Sequence, residues 1–159
     1  MFLDDIDSNH KIITCEQVSW GTKTVISYCP IYSAKMVRDL IDKRCIPNKS
    51  LLLQFPSTEK VPEEFQRDLI RGYFDGDGSI IVGNSSPSMN FTGTYEFLSV
   101  VREKLGIISK VKKDTRTEGN TYVLTTRGTP IITRTFHYLY DDAERYLERK
   151  YNKFLKCIK

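Results

Sequence analysis

The sequence predicts an α+β fold in which antiparallel hairpins alternate with amphipathic helices. Three observations carry that expectation. Strand-forming runs come in pairs about short turns, apolar residues recur at helical spacing between those pairs, and 159 residues with 40% hydrophobic content suffice to bury one core. The expected result is one compact domain built of two unequal parts.

The first ten residues are polar and acidic and carry no assignable pattern. Residues 11–20 and 24–31 then read as two β-branched strands about a turn containing Gly21. Ser33 can cap a helix over 34–43, whose Met36, Val37, Leu40 and Ile41 form an apolar stripe expected to be core. After a second helix, treated below, 79–83 and 87–94 read as strands about Asn84, Ser85 and Ser86. A helix over 95–105 turns Phe97, Leu98, Val101 and Leu105 inward and stops at Gly106. Residues 108–116 and 121–126 then pair as a long hairpin. The last thirty residues hold two helical stretches, one with Ile132, Phe136, Leu139 and Tyr140 inward, the other with Tyr146, Leu147, Tyr151, Phe154 and Leu155 inward. Arg145, Arg149, Lys150, Lys153 and Lys156 are expected to cover the surface of that second stretch.

The central stretch starts as a helix at Pro62, with Glu63 and Glu64 in its first turn and Phe65, Leu69, Ile70, Tyr73 and Phe74 at helical spacing. Gly72 and Gly76 lie four apart on one face, each costing about 1 kcal/mol relative to alanine inside a helix. That spacing predicts a seam where a second helix approaches closely. Asp75 and Asp77 close the helix, at the end where the macrodipole disfavours anions and a carboxylate gains from a cation. Oxygen ligands and helix-end carbonyls suit a hard divalent ion. A solvated Asp-Gly turn is the plain alternative. A calcium loop fits only in part: Asp75, Asp77 and Ser79 occupy its first, third and fifth positions, but Ile80 stands where glycine is needed and Ser86 where glutamate is needed.

Net charge is +4, divided as about −2 through Gly78 and about +6 from Ser79 onward, an asymmetry that suggests an acidic metal-binding part and a polyanion-binding part. Alternation over 108–116 puts Lys110 and Lys112 on one strand face and Lys113 on the other, with Arg116 following. An exposed sheet face bearing such residues can lie in the major groove of DNA; a charge-protected edge strand is the alternative. The four cysteines are too widely spaced for a zinc knuckle or a redox pair and read as reduced thiols of an intracellular chain, in the cytoplasm or an organelle. No apolar run is long enough to span a bilayer, and no phosphate loop or Ser/His/Asp set is present.

The run from Ile70 to Gly78, followed by Ser79 and Ile80, resembles the LAGLIDADG motif of homing endonucleases and their intein and maturase relatives. The likeness rests on small residues at Gly72 and Gly76, paired Asp75 and Asp77, the closing Gly78 and a strand immediately after. It implies a curved antiparallel sheet with helices on one face, motif helices packed in pairs, and metal-dependent, site-specific cleavage of double-stranded DNA bound on the sheet. By the same resemblance Asp77 binds Mg²⁺ or Mn²⁺ with help from the Gly76 carbonyl, while Asp75 stabilises the helix end. Pro47-Asn48-Lys49-Ser50 resembles the Pro-x-Lys-Ser element of the phage and intein type, and 146–151 resembles its C-terminal signature, which makes Lys49 and Lys150 the catalytic lysines. Lys23, Lys110, Lys112, Lys113, Arg116 and Arg127 are the expected DNA contacts. The family repeat implies a partial copy over 1–61, a hairpin plus a helix without the first motif helix, and a complete copy over 62–159. Family members use two motif acids, which the resemblance answers here with a homodimer through the motif helix. A catalytically inactive or truncated DNA-binding protein and an RNA maturase remain the alternatives, and the host element (intron, intein or free-standing) stays open.

Overall fold

The computed structural model describes residues 11–19, 22–43, 52–83, 86–116 and 119–158. They divide into two compact units, one ending at Asp39 and one starting at Leu40. In the first, β1 (Ile13–Ser19) and β2 (Thr22–Tyr28) pair antiparallel from Ile13↔Tyr28 to Ser19↔Thr22, so the expected hairpin is present, with its second strand starting at Thr22 rather than at 24. The Thr14 and Ser27 hydroxyls, a cross-strand pair, lie 3.1 Å apart. The division between the units falls within α1 (Ala34–Asp42). Ser33 Oγ accepts the Met36 N–H at 3.2 Å, the cap read from the sequence. The expected burial of Met36, Val37, Leu40 and Ile41 is not met: no residue of α1 is buried, and Val37 is 51% exposed. The amphipathic pattern is there, but among the described residues nothing covers it.

The second unit is a four-stranded antiparallel sheet in the order β3-β4-β6-β5, with helices on one face, which makes the fold α+β. Its elements are α2 (Glu63–Asp77), β3 (Ser79–Ile81), β4 (Ser88–Gly93), α3 (Tyr95–Lys104), β5 (Lys112–Lys113), β6 (Tyr122–Arg127), α4 (Thr129–Tyr140) and α5 (Glu148–Cys157). Strand alternation sorts the sheet into two faces. Ile80, Met89, Phe91, Leu124 and Thr126 point to the helices and are buried; Ser79, Ile81, Ser88, Asn90, Thr92, Val123, Thr125 and Arg127 point away. Ile70 and Phe74 of α2, Phe97, Leu98 and Val101 of α3, Ile132 and Leu139 of α4 and Phe154 of α5 complete one core.

The strand expected over 108–116 contracts to the two residues of β5, paired as Lys112↔Val123 and Lys113↔Tyr122. Arg102 of α3 explains the loss. Its guanidinium donates to the carbonyls of Ser109 (2.9 Å) and Ile108 (3.4 Å), drawing that backbone toward the helix and away from a ladder. Gly106 sets up this detour at φ +60°, a left-handed conformation that ends α3 with its N–H on Glu103 O and the Ile107 N–H on Arg102 O. The turn residues Asn84, Ser85, Thr117 and Glu118, and Lys49, lie outside the described residues. No helix among the described residues is long and apolar enough to cross a membrane.

Candidate functional site

The site grows from the end of α2. Pro62 opens this helix and Gly78 closes it, its N–H on Phe74 O at 2.8 Å. Phe74 is fully buried, with its ring 5.0 Å from that of Phe91 and 5.2 Å from that of Phe154. A β-carbon on Gly78 would run into that ring and lie 2.7 Å from Phe74 O, so only glycine lets the chain turn from α2 straight into β3. Between these two fixed residues stand Asp75, Gly76 and Asp77.

The two carboxylates have different surroundings. Asp75 is half-buried and accepts from the Tyr140 hydroxyl at 2.7 Å and the Leu147 N–H at 2.8 Å. Burial, then the bond to Asp75, pushes the Tyr140 phenol above its ordinary range. Asp75 therefore fastens the end of α4 and the start of α5, the structural role expected of it. The Asp77 carboxylate is exposed and makes no hydrogen bond among the described residues.

Lys150 departs from expectation. Read from the sequence as a surface residue of α5, it is 3% exposed, and its Nζ donates to the carbonyls of Phe74 and Gly78 while lying 5.1 Å from the centre of the Phe74 ring. A cation belongs at these helix-end carbonyls on dipole grounds, and they supply the partners a buried ammonium needs. Burial lowers its pKa, with Arg149 acting in the same direction and Asp75 and Asp77 opposing. The periodicity of α5 could not reveal this, because a lysine inside an otherwise solvated basic run looks like its neighbours. The same device recurs twice. Arg71 of α2 donates to Leu139 O (3.1 Å) at the end of α4 and to Arg145 O (2.9 Å) in the connection after it, and Arg134 of α4 donates to Leu105 O (3.1 Å) and Gly106 O (2.6 Å) at the end of α3.

Gly72 and Gly76 are exposed, and a β-carbon at either would meet nothing within 4 Å. Phe65, one turn before Leu69 on the same side of the helix, is 55% exposed. The seam anticipated at this face is thus open among the described residues.

The donor set suits a hard divalent ion in part. Asp77 offers an exposed carboxylate, and the Gly76 carbonyl lies beyond Phe74 O, the acceptor of the last helical bond. Among the described residues no group of three metal-ligating side chains exists. A site of one or two carboxylates completed by water and phosphate oxygens is the usual arrangement for Mg²⁺, so the residues fit the ion as a partial shell.

The sheet face turned away from the helices is the second component. It carries hydroxyls and an amide on Ser79, Ser88, Asn90, Thr92 and Thr125, basic groups on Lys112 and Arg127, the apolar Ile81 and Val123, and no carboxylate on its strands among the described residues. Asn90 Nδ2 donates to Ser79 Oγ at 3.2 Å, and Thr125 is the ladder partner of Asn90. These polar residues were not singled out from the sequence, although Ser88-Met89-Asn90-Phe91-Thr92 alternates plainly between polar and apolar. Toward the β5 edge a groove of about 530 Å³ is lined by Ser109, Lys110, Lys112, Val123, Thr125 and Arg127.

The structure brings Lys110, Lys112 and Arg127 together along one groove. Lys113 takes the opposite strand direction, in register with Tyr122. Lys23 lies on β2 in the first unit, 3.7 Å from Glu16 with both side chains exposed. Arg116 turns back on Asp114, donating from Nε (2.9 Å) and Nη2 (2.8 Å) to the two carboxylate oxygens. That hydrogen-bonded fork holds the Asp114 carboxyl down at about 2. A depressed carboxylate pKa stabilises the folded state above its ordinary value of 3.8 and ceases to do so as pH falls through about 2. The stability gap between the wild type and Asp114→Asn is therefore expected to be constant above about pH 5 and to shrink progressively as pH falls through 3.8 toward about 2, as read by urea unfolding across that range.

The LAGLIDADG-like domain family matches residues 64–149, more than half of the chain. No curated protein matches it. Among solved structures, the crystal structure of a homing endonuclease, I-TnaI, is similar at a TM-score of 0.44 and 18% identity, over 57% of this chain and 69% of that one. An archaeal intron-encoded homing endonuclease, I-Vdi141I, solved in complex with DNA, is similar at a TM-score of 0.45 and 20% identity, over 59% of this chain and 65% of that one.

Proposed function

Because the chain belongs to the LAGLIDADG-like domain family, we propose that it is a site-specific DNA endonuclease that hydrolyses phosphodiester bonds with a divalent metal. The observation that carries this reading is the open sheet face, mostly polar along β4 and β6, free of carboxylates on its strands among the described residues, and flanked by Lys110, Lys112 and Arg127. Such a face presents donors and acceptors to base edges while the cations hold phosphates.

Asp77, with the Gly76 carbonyl, would hold Mg²⁺ or Mn²⁺. When bound, the ion supplies Lewis-acid stabilisation of charge on the scissile phosphate. The remaining work falls to the chain. Lys110, Lys112 and Arg127 fix the duplex backbone, Asn90, Thr92 and Thr125 read base edges, and to Lys49 falls the role that the family resemblance gives it, neutralising the phosphate. A second copy of the chain, seated on the open Gly72 and Gly76 face, supplies the second motif carboxylate.

Incubating the chain with a randomised duplex pool and Mg²⁺, then sequencing cut ends, tests the proposal. Ends sharing one recurrent sequence are the expected result, and light scattering should give two chains per bound duplex. Salt-sensitive binding with no cut ends would instead indicate a DNA-binding protein without nuclease activity, and preference for structured RNA a maturase. Within this reading, Lys112→Ala and Arg127→Ala should each reduce the salt dependence of duplex binding by about one phosphate contact. Arg116→Ala should leave that slope unchanged, because its guanidinium is committed to Asp114.

A further inference from the structure

We infer that Lys150 is a positioning residue for Asp77 and does not touch the substrate phosphate. With Asp75 it forms a reciprocal strap between α2 and α5 that fixes where the Asp77 carboxylate stands. The inference rests on the reading of Asp77 as the metal-holding acid.

Two charges are exchanged between two helix ends. The Asp75 carboxylate leaves the C-terminal end of α2 and accepts the Leu147 N–H at the N-terminal end of α5. The Lys150 ammonium leaves the first turn of α5 and donates to Phe74 O and Gly78 O at the C-terminal end of α2. Each charge thus sits at the end of the other helix whose dipole attracts it, the anion at the Leu147 N–H and the cation at the helix-end carbonyls of Phe74 and Gly78. Phe74 and Gly78 bracket the three residues that contain Asp77, so the ammonium ties down both sides of the carboxylate. At 3% exposure, with two protons on backbone oxygens and the Phe74 ring against it, this group has no room to meet a phosphate without abandoning the strap. Its effect on the site passes through the backbone.

Two measurements on the full chain, made by NMR without DNA, separate this role from direct contact. The first is amide exchange at Gly78 and Leu147, whose N–H groups bond to Phe74 O and the Asp75 carboxylate at 2.8 Å each. Lys150→Met should speed exchange at both by roughly tenfold, although Leu147 does not bond to the lysine. The second is line broadening around Asp77 by added Mn²⁺. A cation that only sits near Asp77 repels the ion, so its removal would strengthen broadening. A positioning residue does the reverse, and Lys150→Met should need about tenfold more Mn²⁺ for the same effect, with Lys150→Arg restoring most of it.

Unchanged Leu147 exchange, or stronger broadening in Lys150→Met, would overturn the inference. If that variant does not fold, Asp75→Asn, which weakens the other half of the strap, should show the same paired acceleration; separate behaviour of the two amides overturns the inference there too. Absence of broadening in the wild type would retire the metal reading, and amide exchange would then decide the strap by itself.

Discussion

Asp77→Asn is expected to lower duplex cleavage by about 10³-fold or more while leaving duplex affinity within about a factor of ten. The asymmetry follows from where the residue stands. The Asp77 side chain is exposed and makes no hydrogen bond among the described residues, so an isosteric amide leaves the fold and the sheet face in place. What it removes is the anionic oxygen that a divalent ion requires at this helix end. Melting temperature, retention of a labelled duplex and cleavage of that duplex, measured on one preparation, check the three parts. Equal losses of binding and cutting would show that Asp77 belongs to the DNA contact surface instead. The matching change at Asp75 should behave otherwise. It weakens the joint to Tyr140 and Leu147 and should lower stability together with activity.

The largest expected effect on stability comes from Phe74→Ala, at about 3–5 kcal/mol. The side chain is fully buried and meets Phe91 of β4 and Phe154 of α5, so truncation opens a cavity at the junction of α2, the sheet and α5. Collapse into that cavity is hindered because its walls belong to three elements. The damage also reaches Lys150, whose ammonium rests on the same ring. Urea denaturation gives the loss as a shift of midpoint at unchanged slope. A value below about 1 kcal/mol would mean that the α2 end is packed less tightly than described.

Much of the second unit was legible in the sequence because its signals are local. Pro62, Gly78 and the spacing of Ile70 and Phe74 mark α2; Thr94 caps α3 through the Phe97 N–H at 3.2 Å, and Gly106 ends it. The burial of Lys150 and the pairing of Arg116 were not legible for one reason. Each carries a charge that looks solvated in sequence but is committed to a partner, Arg116 to Asp114 two residues away and Lys150 to carbonyls more than seventy residues earlier. The contraction of the 108–116 strand had a similar origin, since Arg102 competes for its carbonyls only once α3 is in place. The stripe of α1 shows the converse: periodicity identifies a face suited to burial without stating that anything buries it.

The two faces of the sheet differ in one further respect. Met89, Phe91 and Leu124 are fully enclosed, and changing any of them disturbs the core. Asn90, Thr92 and Thr125, one residue away along the same strands, touch solvent and contribute nothing to that packing. Substitutions at such positions typically alter stability by about 0.5 kcal/mol or less. On the proposal that these residues read base edges, the preferred target can therefore drift, or be redirected in the laboratory, through many intermediate sequences that all still fold.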